Sequence, residues 1–216
     1  MTLPLPTLKN LSEWVHPQYL RSLEGARIPE TIISPNPFPR AVFPDFFRPE
    51  VIDAIAQRAA SIQTAPGRLN IGAARRAQVE WGPYADPEVL RFFCSQGFRA
   101  LLRATLGSTF RLKRQAVPQL AHFHPSSGGF NCHNDRDQPR DAVALLYLTP
   151  YYPENGGGCL QIHDHKKEIV SRIQPKKNTL VIFEVSNTSW HSIEDMRGDW
   201  VRRNILFDWE KVDERA

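Results

Sequence analysis

The stretch Phe130 to Leu148, FNCHNDRDQPRDAVALLYL, contains two β-type runs, Phe130 to Asp135 and Ala142 to Leu148, separated by a polar link. Ala142 to Leu148 is the longest apolar stretch of the chain, far short of the roughly 20 residues a spanning helix needs. Working outward, similar runs recur at Ala116 to Phe123, Cys159 to Ile162, Thr179 to Val185, Trp190 to Ile193 and Val201 to Trp209. Turn chemistry separates them at Ser127-Gly128-Gly129, Asn155-Gly156-Gly157-Gly158, Lys177-Asn178 and Arg197-Gly198-Asp199. Seven short strands at this spacing imply a mainly β (α+β) sandwich or jelly-roll barrel.

Before Gly107 the pattern is helical. Pro49 fits the first turn of a helix that carries Val51, Ile52, Ile55, Ala56 and Ala59 on one face. Asp86 caps a second helix, expected to run through Leu90, Phe93, Leu101 and Leu102 to Gly107. The segment Thr64 to Tyr84 reads as a loop. Seven of the 18 prolines fall in the first forty residues, so 1–40 is expected to form an arm over the core, with only Ser12 to Ser22 able to carry a short helix. The resulting division is a Pro-rich arm (1–40) and a single domain (41–216), with helical support over 47–107 and a barrel over 108–210.

The 216 residues include 41% hydrophobic and 23% charged side chains, which excludes disordered, collagen-like and coiled-coil chains. The start of the chain lacks the basic and apolar regions of a signal peptide, so a soluble, cytoplasmic protein is expected, with no membrane partner. Cys94, Cys132 and Cys159 are odd in number and lack CxxC spacing, so they are expected as free thiols. The net charge of +4 could attract nucleic acid or anionic small molecules, but the basic residues are scattered along the chain and the charge carries little weight, so nucleic acid is not the expected partner.

His133 is the only histidine with an acid two positions on. In a strand, His133 and Asp135 share a face, and His191 on a later strand can return to the same barrel mouth. Two imidazoles and one carboxylate form a facial triad that leaves coordination positions open, as in non-haem Fe(II) oxygenases. An arginine at 202 or 203, inside an apolar barrel, needs a carboxylate partner.

These residues resemble the 2-oxoglutarate and Fe(II) dependent dioxygenase superfamily, in its prolyl-hydroxylase-like branch. The likeness covers roughly Leu120 to Trp209 and includes Leu146-Tyr147-Leu148-Thr149, Gly157-Gly158-Cys159-Leu160 and Asn178 to Phe183. It implies a double-stranded β-helix, a cupin-like barrel with the N-terminal helices packed on one sheet. It also implies iron ligation by His133, Asp135 and His191, and 2-oxoglutarate binding by Arg202, Asn204 and Tyr147. Alternation admits only one of Arg202 and Arg203; Arg202-x-Asn204 favours Arg202, whereas counting back six from Trp209 gives Arg203.

The implied activity is hydroxylation with O2, releasing succinate and CO2, with ascorbate as an accessory reductant that could stimulate it. Asp135 argues against halogenation, since family halogenases carry a small residue there. The compact length favours a small-molecule substrate, an amino acid or natural-product intermediate. Peptidyl or prolyl hydroxylation is the nearest alternative. Nucleic-acid demethylation is disfavoured because Asp208 occupies the position of those enzymes' second arginine; a non-oxygenase metal-binding cupin is the remaining alternative.

His122 with His124, and His163-Asp164-His165, also pair imidazoles but lack a third ligand in order, and the second reads as a solvated loop. Arg75-Arg76 could belong to a lid. Asn131, Asp137, Arg140, Trp81, Tyr84 and Trp190 are candidates for lining a pocket, and Trp14 and Trp209 read as packing residues.

Overall fold

The run at Ala142 becomes the central strand of a large sheet, and its side chains explain why. Val143, Leu145 and Tyr147 point to one buried face, and Ala142, Ala144 and Leu146 to the other. A strand covered on both faces reads as a continuous apolar run. The computed structural model describes residues 4–5, 7–25, 28–70, 76–113 and 117–212. In chain order its strands are β1 (Ile33–Ser34), β2 (Arg40–Phe43), β3 (Ala65–Asn70), β4 (Arg76–Pro83), β5 (Phe110–Leu112), β6 (Gln119–Phe123), β7 (Phe130–His133), β8 (Ala142–Tyr147), β9 (Leu160–His163), β10 (Ile169–Ile173), β11 (Leu180–Glu184), β12 (His191–Ile193) and β13 (Arg202–Lys211). The helices are α1 (Leu20–Leu23), α2 (Pro49–Ala60), α3 (Pro87–Phe93) and α4 (Gln96–Leu106).

The major sheet runs β1-β2-β11-β8-β13-β6-β4-β3, with β5 also on β13; the minor sheet runs β10-β9-β12-β7. All strand pairs are antiparallel, and the two sheets form a double-stranded β-helix. The helices cover the outer face of the major sheet. On β13, Ile205, Phe207 and Trp209 face this layer, with Phe207 stacked on Phe93 at 3.8 Å and Trp209 against Phe98 at 5.4 Å. Arg202, Asn204 and Leu206 face the space between the sheets. No helix among the described residues is long and apolar enough to cross a membrane.

Several expectations change. Thr64 to Tyr84 is not a loop: β3 and β4 form a hairpin whose second strand pairs with β6, Val79 opposite Phe123 and Trp81 opposite Ala121. Gly67 permits this pairing, since a Cβ there would lie 2.9 Å from the Trp81 ring. The expected second helix is two, because Ser95 accepts from the Phe98 amide and starts α4 afresh, while Gly107 (φ 71°) ends it. Strand β10 was not foreseen. The first forty residues contribute Leu5, Trp14, Val15, Tyr19, Leu23 and Ile28 to the helix-side core, with Trp14 stacked on Phe92 at 5.7 Å, and β1 and β2 extend the major sheet.

Candidate metal and anion site

His133 ends β7 and His191 opens β12, and the two are direct partners in the minor-sheet register. Their rings lie 4.3 Å apart. Asp135 arrives differently from strand alternation. The strand stops at His133, and Asp135 adopts a left-handed conformation (φ 57°) that turns its carboxylate back over the two rings. Aspartate is one of the few residues that adopt this conformation readily. Its Oδ1 lies 3.4 Å from His133 Nε2, and its Oδ2 lies 3.4 Å from His191 Nε2.

Backbone carbonyls fix the ring orientation. His133 Nδ1 donates to Asn131 O at 2.7 Å and His191 Nδ1 donates to Ser189 O at 2.8 Å. A carbonyl only accepts, so each neutral ring carries its proton on Nδ1 and turns the Nε2 lone pair toward Asp135. Two lone pairs and a carboxylate therefore converge, with one ligand atom from each residue within 4.8 Å of the others. Such a set fits a divalent transition cation with open positions.

Burial would raise the Asp135 pKa, but the hydrogen bonds that the His133 and His191 rings donate when Nε2 carries a proton in place of a cation, together with the Arg140 charge, outweigh it and hold the carboxyl well below the usual range. Arg140 Nη2 lies 3.1 Å from Asp135 Oδ1 and its Nη1 lies 2.7 Å from Asp208 Oδ1.

The second feature is a buried cation. Arg202 is 1% exposed. Its Nε donates to Gly158 O (3.1 Å), Nη1 to Asn204 Oδ1 (2.8 Å) and Nη2 to the Tyr147 hydroxyl (3.0 Å). Its guanidinium also lies over the rings of Phe123 and Tyr147. No carboxylate among the described residues pairs with it, and one N–H on each terminal nitrogen remains to be used. A guanidinium held this way is a fork for a carboxylate, and burial makes an uncompensated charge unfavourable. Gly158 (φ 67°) leaves room for Trp200, which a Cβ would meet at 2.8 Å.

Arg202 and the His133, Asp135 and His191 cluster line one cavity of about 120 Å³. Its other walls include Trp81, Phe123, Phe130, Arg140, Leu160 and Phe183. Of the remaining expected site residues, Asn204 also lines the cavity, whereas Tyr147 stands behind Arg202 and meets it through its hydroxyl. Arg203 lies on the opposite face of β13, paired with His122. Trp81 and Arg140 line the cavity as expected. Tyr84 instead belongs to the helix-side core, and Trp190 lies under Lys167, 4.2 Å from its ammonium. Asn131 contributes its backbone carbonyl, and Asp137 is exposed.

Arg75 lies outside the described residues. His122 and His124 face Glu80 on β4 at 3.8 and 3.5 Å, away from the cavity. His163 is buried rather than solvated, bonded to Ser192 Oγ and Lys167 O. The apolar lining from β8, Val143 and Leu145, was readable by counting alternate positions inward from Tyr147.

Residues 118–210 match the model of the 2OG-Fe(II) oxygenase superfamily. The matched segment runs from β6 into β13. Over 83 residues it is 32% identical to mouse prolyl 3-hydroxylase OGFOD1, a match covering 36% of this chain and 15% of that enzyme. The chain thus spans only a small part of the curated relatives it matches. A Trichoplax adhaerens prolyl hydroxylase solved with a hypoxia inducible factor peptide fragment superposes with a TM-score of 0.64 at 17% identity, over 81% of this chain and 84% of that one. An oxidoreductase of the 2OG-Fe(II) oxygenase family from Burkholderia pseudomallei gives 0.63 at 11% identity, over 92% and 93%. The matched segment contains His133, Asp135, His191 and Arg202, including the three strands β7, β12 and β13 that carry His133, His191 and Arg202.

Proposed function

We propose that the chain is an Fe(II)- and 2-oxoglutarate-dependent hydroxylase acting on an aliphatic carbon of a small molecule. The observation that carries this reading is a His/Asp/His cluster and a buried guanidinium, without a carboxylate partner among the described residues, lining one cavity, as a chelating 2-oxo acid with a distant carboxylate requires. His133, Asp135 and His191 hold the metal through Nε2 atoms and a carboxylate oxygen. Arg202 receives the far carboxylate of 2-oxoglutarate on its two free N–H groups, with Asn204 and Tyr147 keeping the fork in plane. When bound, iron and 2-oxoglutarate supply activated oxygen, with release of succinate and CO2.

The protein's part is orientation and dryness. The Asn131 and Ser189 carbonyls hold the imidazole tautomers, while Phe123, Phe130, Leu160 and Phe183 exclude water around the reacting centre. The narrow apolar cavity, with Trp81 and Arg140 on its wall, supports a compact substrate. A second reading, hydroxylation of a prolyl residue in a peptide, is favoured by the 32% identity to prolyl 3-hydroxylase OGFOD1.

The test is substrate-stimulated succinate release by iron-loaded protein, screened against free amino acids and against proline-containing peptides. Stimulation by a free amino acid supports the first reading and by peptides alone the second. No 2-oxoglutarate binding to the metal-loaded protein refutes both.

A further inference from the structure

The polar link 134–141 brings one long side chain back into the cavity. Arg140 is 14% exposed, and its guanidinium is shared between Asp135 on the minor-sheet side and Asp208 on the major sheet. The backbone places it there. Asp141 N donates to Trp209 O at 2.8 Å, and Val143 pairs with Asp208 in the β8–β13 register, so Arg140 emerges beside the end of β13. Asp208 continues the row Arg202, Asn204, Leu206 along the inner face of β13.

We propose that Arg140 and Asp208 form a strut that positions the Asp135 carboxylate for the cation, an inference that rests on the oxygenase reading above. Arg140 uses Nη2 on Asp135 Oδ1 and commits Nη1 to Asp208. Held between two acids, the guanidinium meets Asp135 end-on. Oδ2, 3.4 Å from His191 Nε2, is left clear of the guanidinium. Without the Asp208 carboxylate, both prongs of Arg140 would be available to Asp135, whose two oxygens match a guanidinium fork. Arg140 would then compete with the cation for the same carboxylate.

Asp208 also balances charge. Arg140 alone cancels the formal charge of Asp135, whereas the triplet with Asp208 carries one net negative charge beside the cation position. Arg140 and Asp208 are therefore positioning residues that act through Asp135.

The experiment is anaerobic titration of the metal-free full chain with Co(II), read by the visible ligand-field bands, with thermal unfolding of each variant in parallel. Asp208→Asn is expected to weaken Co(II) binding about tenfold or more, the range for loss of a group that orients a metal ligand. In an Arg140→Gln background the same change is expected to have less than about a threefold effect, because no competing guanidinium remains. Asp208→Glu, which keeps the charge, is expected to retain most of the affinity. A merely structural ion pair would change unfolding in these variants without this non-additivity in Co(II) affinity.

If Asp208→Asn does not fold, Arg140→Lys carries the test, since an ammonium lacks the fork that bridges both acids, and a comparable loss is expected. Wild-type-like affinity in the folded variant, or an equal loss from Asp208→Asn with and without Arg140, overturns the strut while leaving the oxygenase reading intact. Failure of wild type to bind Co(II), or binding undiminished by His133→Ala, overturns both.

Discussion

Replacing Arg202 by Met keeps much of the side chain's length and removes its charge and all its donors. In the free protein this leaves Gly158 O, Asn204 Oδ1 and the Tyr147 hydroxyl without their present partner, but it also removes a buried cation that has no acid beside it among the described residues. The two effects on folding oppose each other. The effect on ligand binding does not, because the two N–H groups left over are the cavity's fork for a carboxylate. Truncating one partner of a buried, hydrogen-bonded charge pair costs about 2–5 kcal/mol, or roughly thirty- to five-thousand-fold in affinity. Calorimetric titration of Mn(II)-loaded protein with 2-oxoglutarate under nitrogen measures it directly. Arg203→Met is the matched control, since Arg203 lies one residue away on the other face of β13. The expected result is a large loss in Arg202→Met with Mn(II) affinity retained, and a change below about threefold in Arg203→Met. Wild-type 2-oxoglutarate affinity in Arg202→Met, or the loss appearing in Arg203→Met, refutes the assignment of the fork.

Three further outcomes concern stability. Burial and the nearby Arg203 charge, offset in part by Glu80 and reinforced by His124, lower the His122 pKa from 6.5 to about 4. The unfolded chain then binds more protons than the folded one between those values, so stability falls as pH drops from 6.5 toward 4, by about 2–3 kcal/mol for this group; in His122→Gln, urea titrations should lose that part of the acid sensitivity. Trp209→Ala should destabilise by about 3–5 kcal/mol through the cavity it leaves, whereas Trp209→Phe should cost less than about 1.5 kcal/mol in the unfolding free energy from denaturant titration because it also removes a buried indole N–H that has no acceptor among the described residues. Asp86 accepts from the Glu88 and Val89 amides and pairs with Arg58 at 2.5 Å, so Asp86→Ala should lower unfolding free energy by about 1–3 kcal/mol. Equal stability in Asp86→Ala by chemical denaturation would show that the cap and ion pair contribute nothing.

The parts of this molecule that were legible in its sequence are those where one residue's neighbours determine its role. β8 is apolar on both faces because it is covered on both, and Asp86-Pro87 starts a helix by local hydrogen bonding alone. The hairpin β3–β4 was not legible. Arg68, Asn70 and Gly67 carry no strand signal of their own, and the hairpin is attached to the sheet by Val79 and Trp81 opposite β6. Glu80 was missed as the partner of His122 and His124 for the same reason, since sequence order does not show which residue lies across a strand.

At the site, the residue types were legible before their geometry. His133-x-Asp135 suggested a shared strand face, yet the carboxylate reaches the imidazoles because the backbone leaves the strand and turns left-handed at Asp135. That turn starts the polar link that carries Arg140 back to the end of β13. The same alternation that separates Arg202 from Arg203 places Asp208 on the inner face, where an arginine needs a second acid. A carboxylate delivered by a turn has no neighbouring strand to fix its rotation, as the two strand-borne histidines have. Something outside the strand must hold it, and the nearest group that does so is the guanidinium anchored to Asp208.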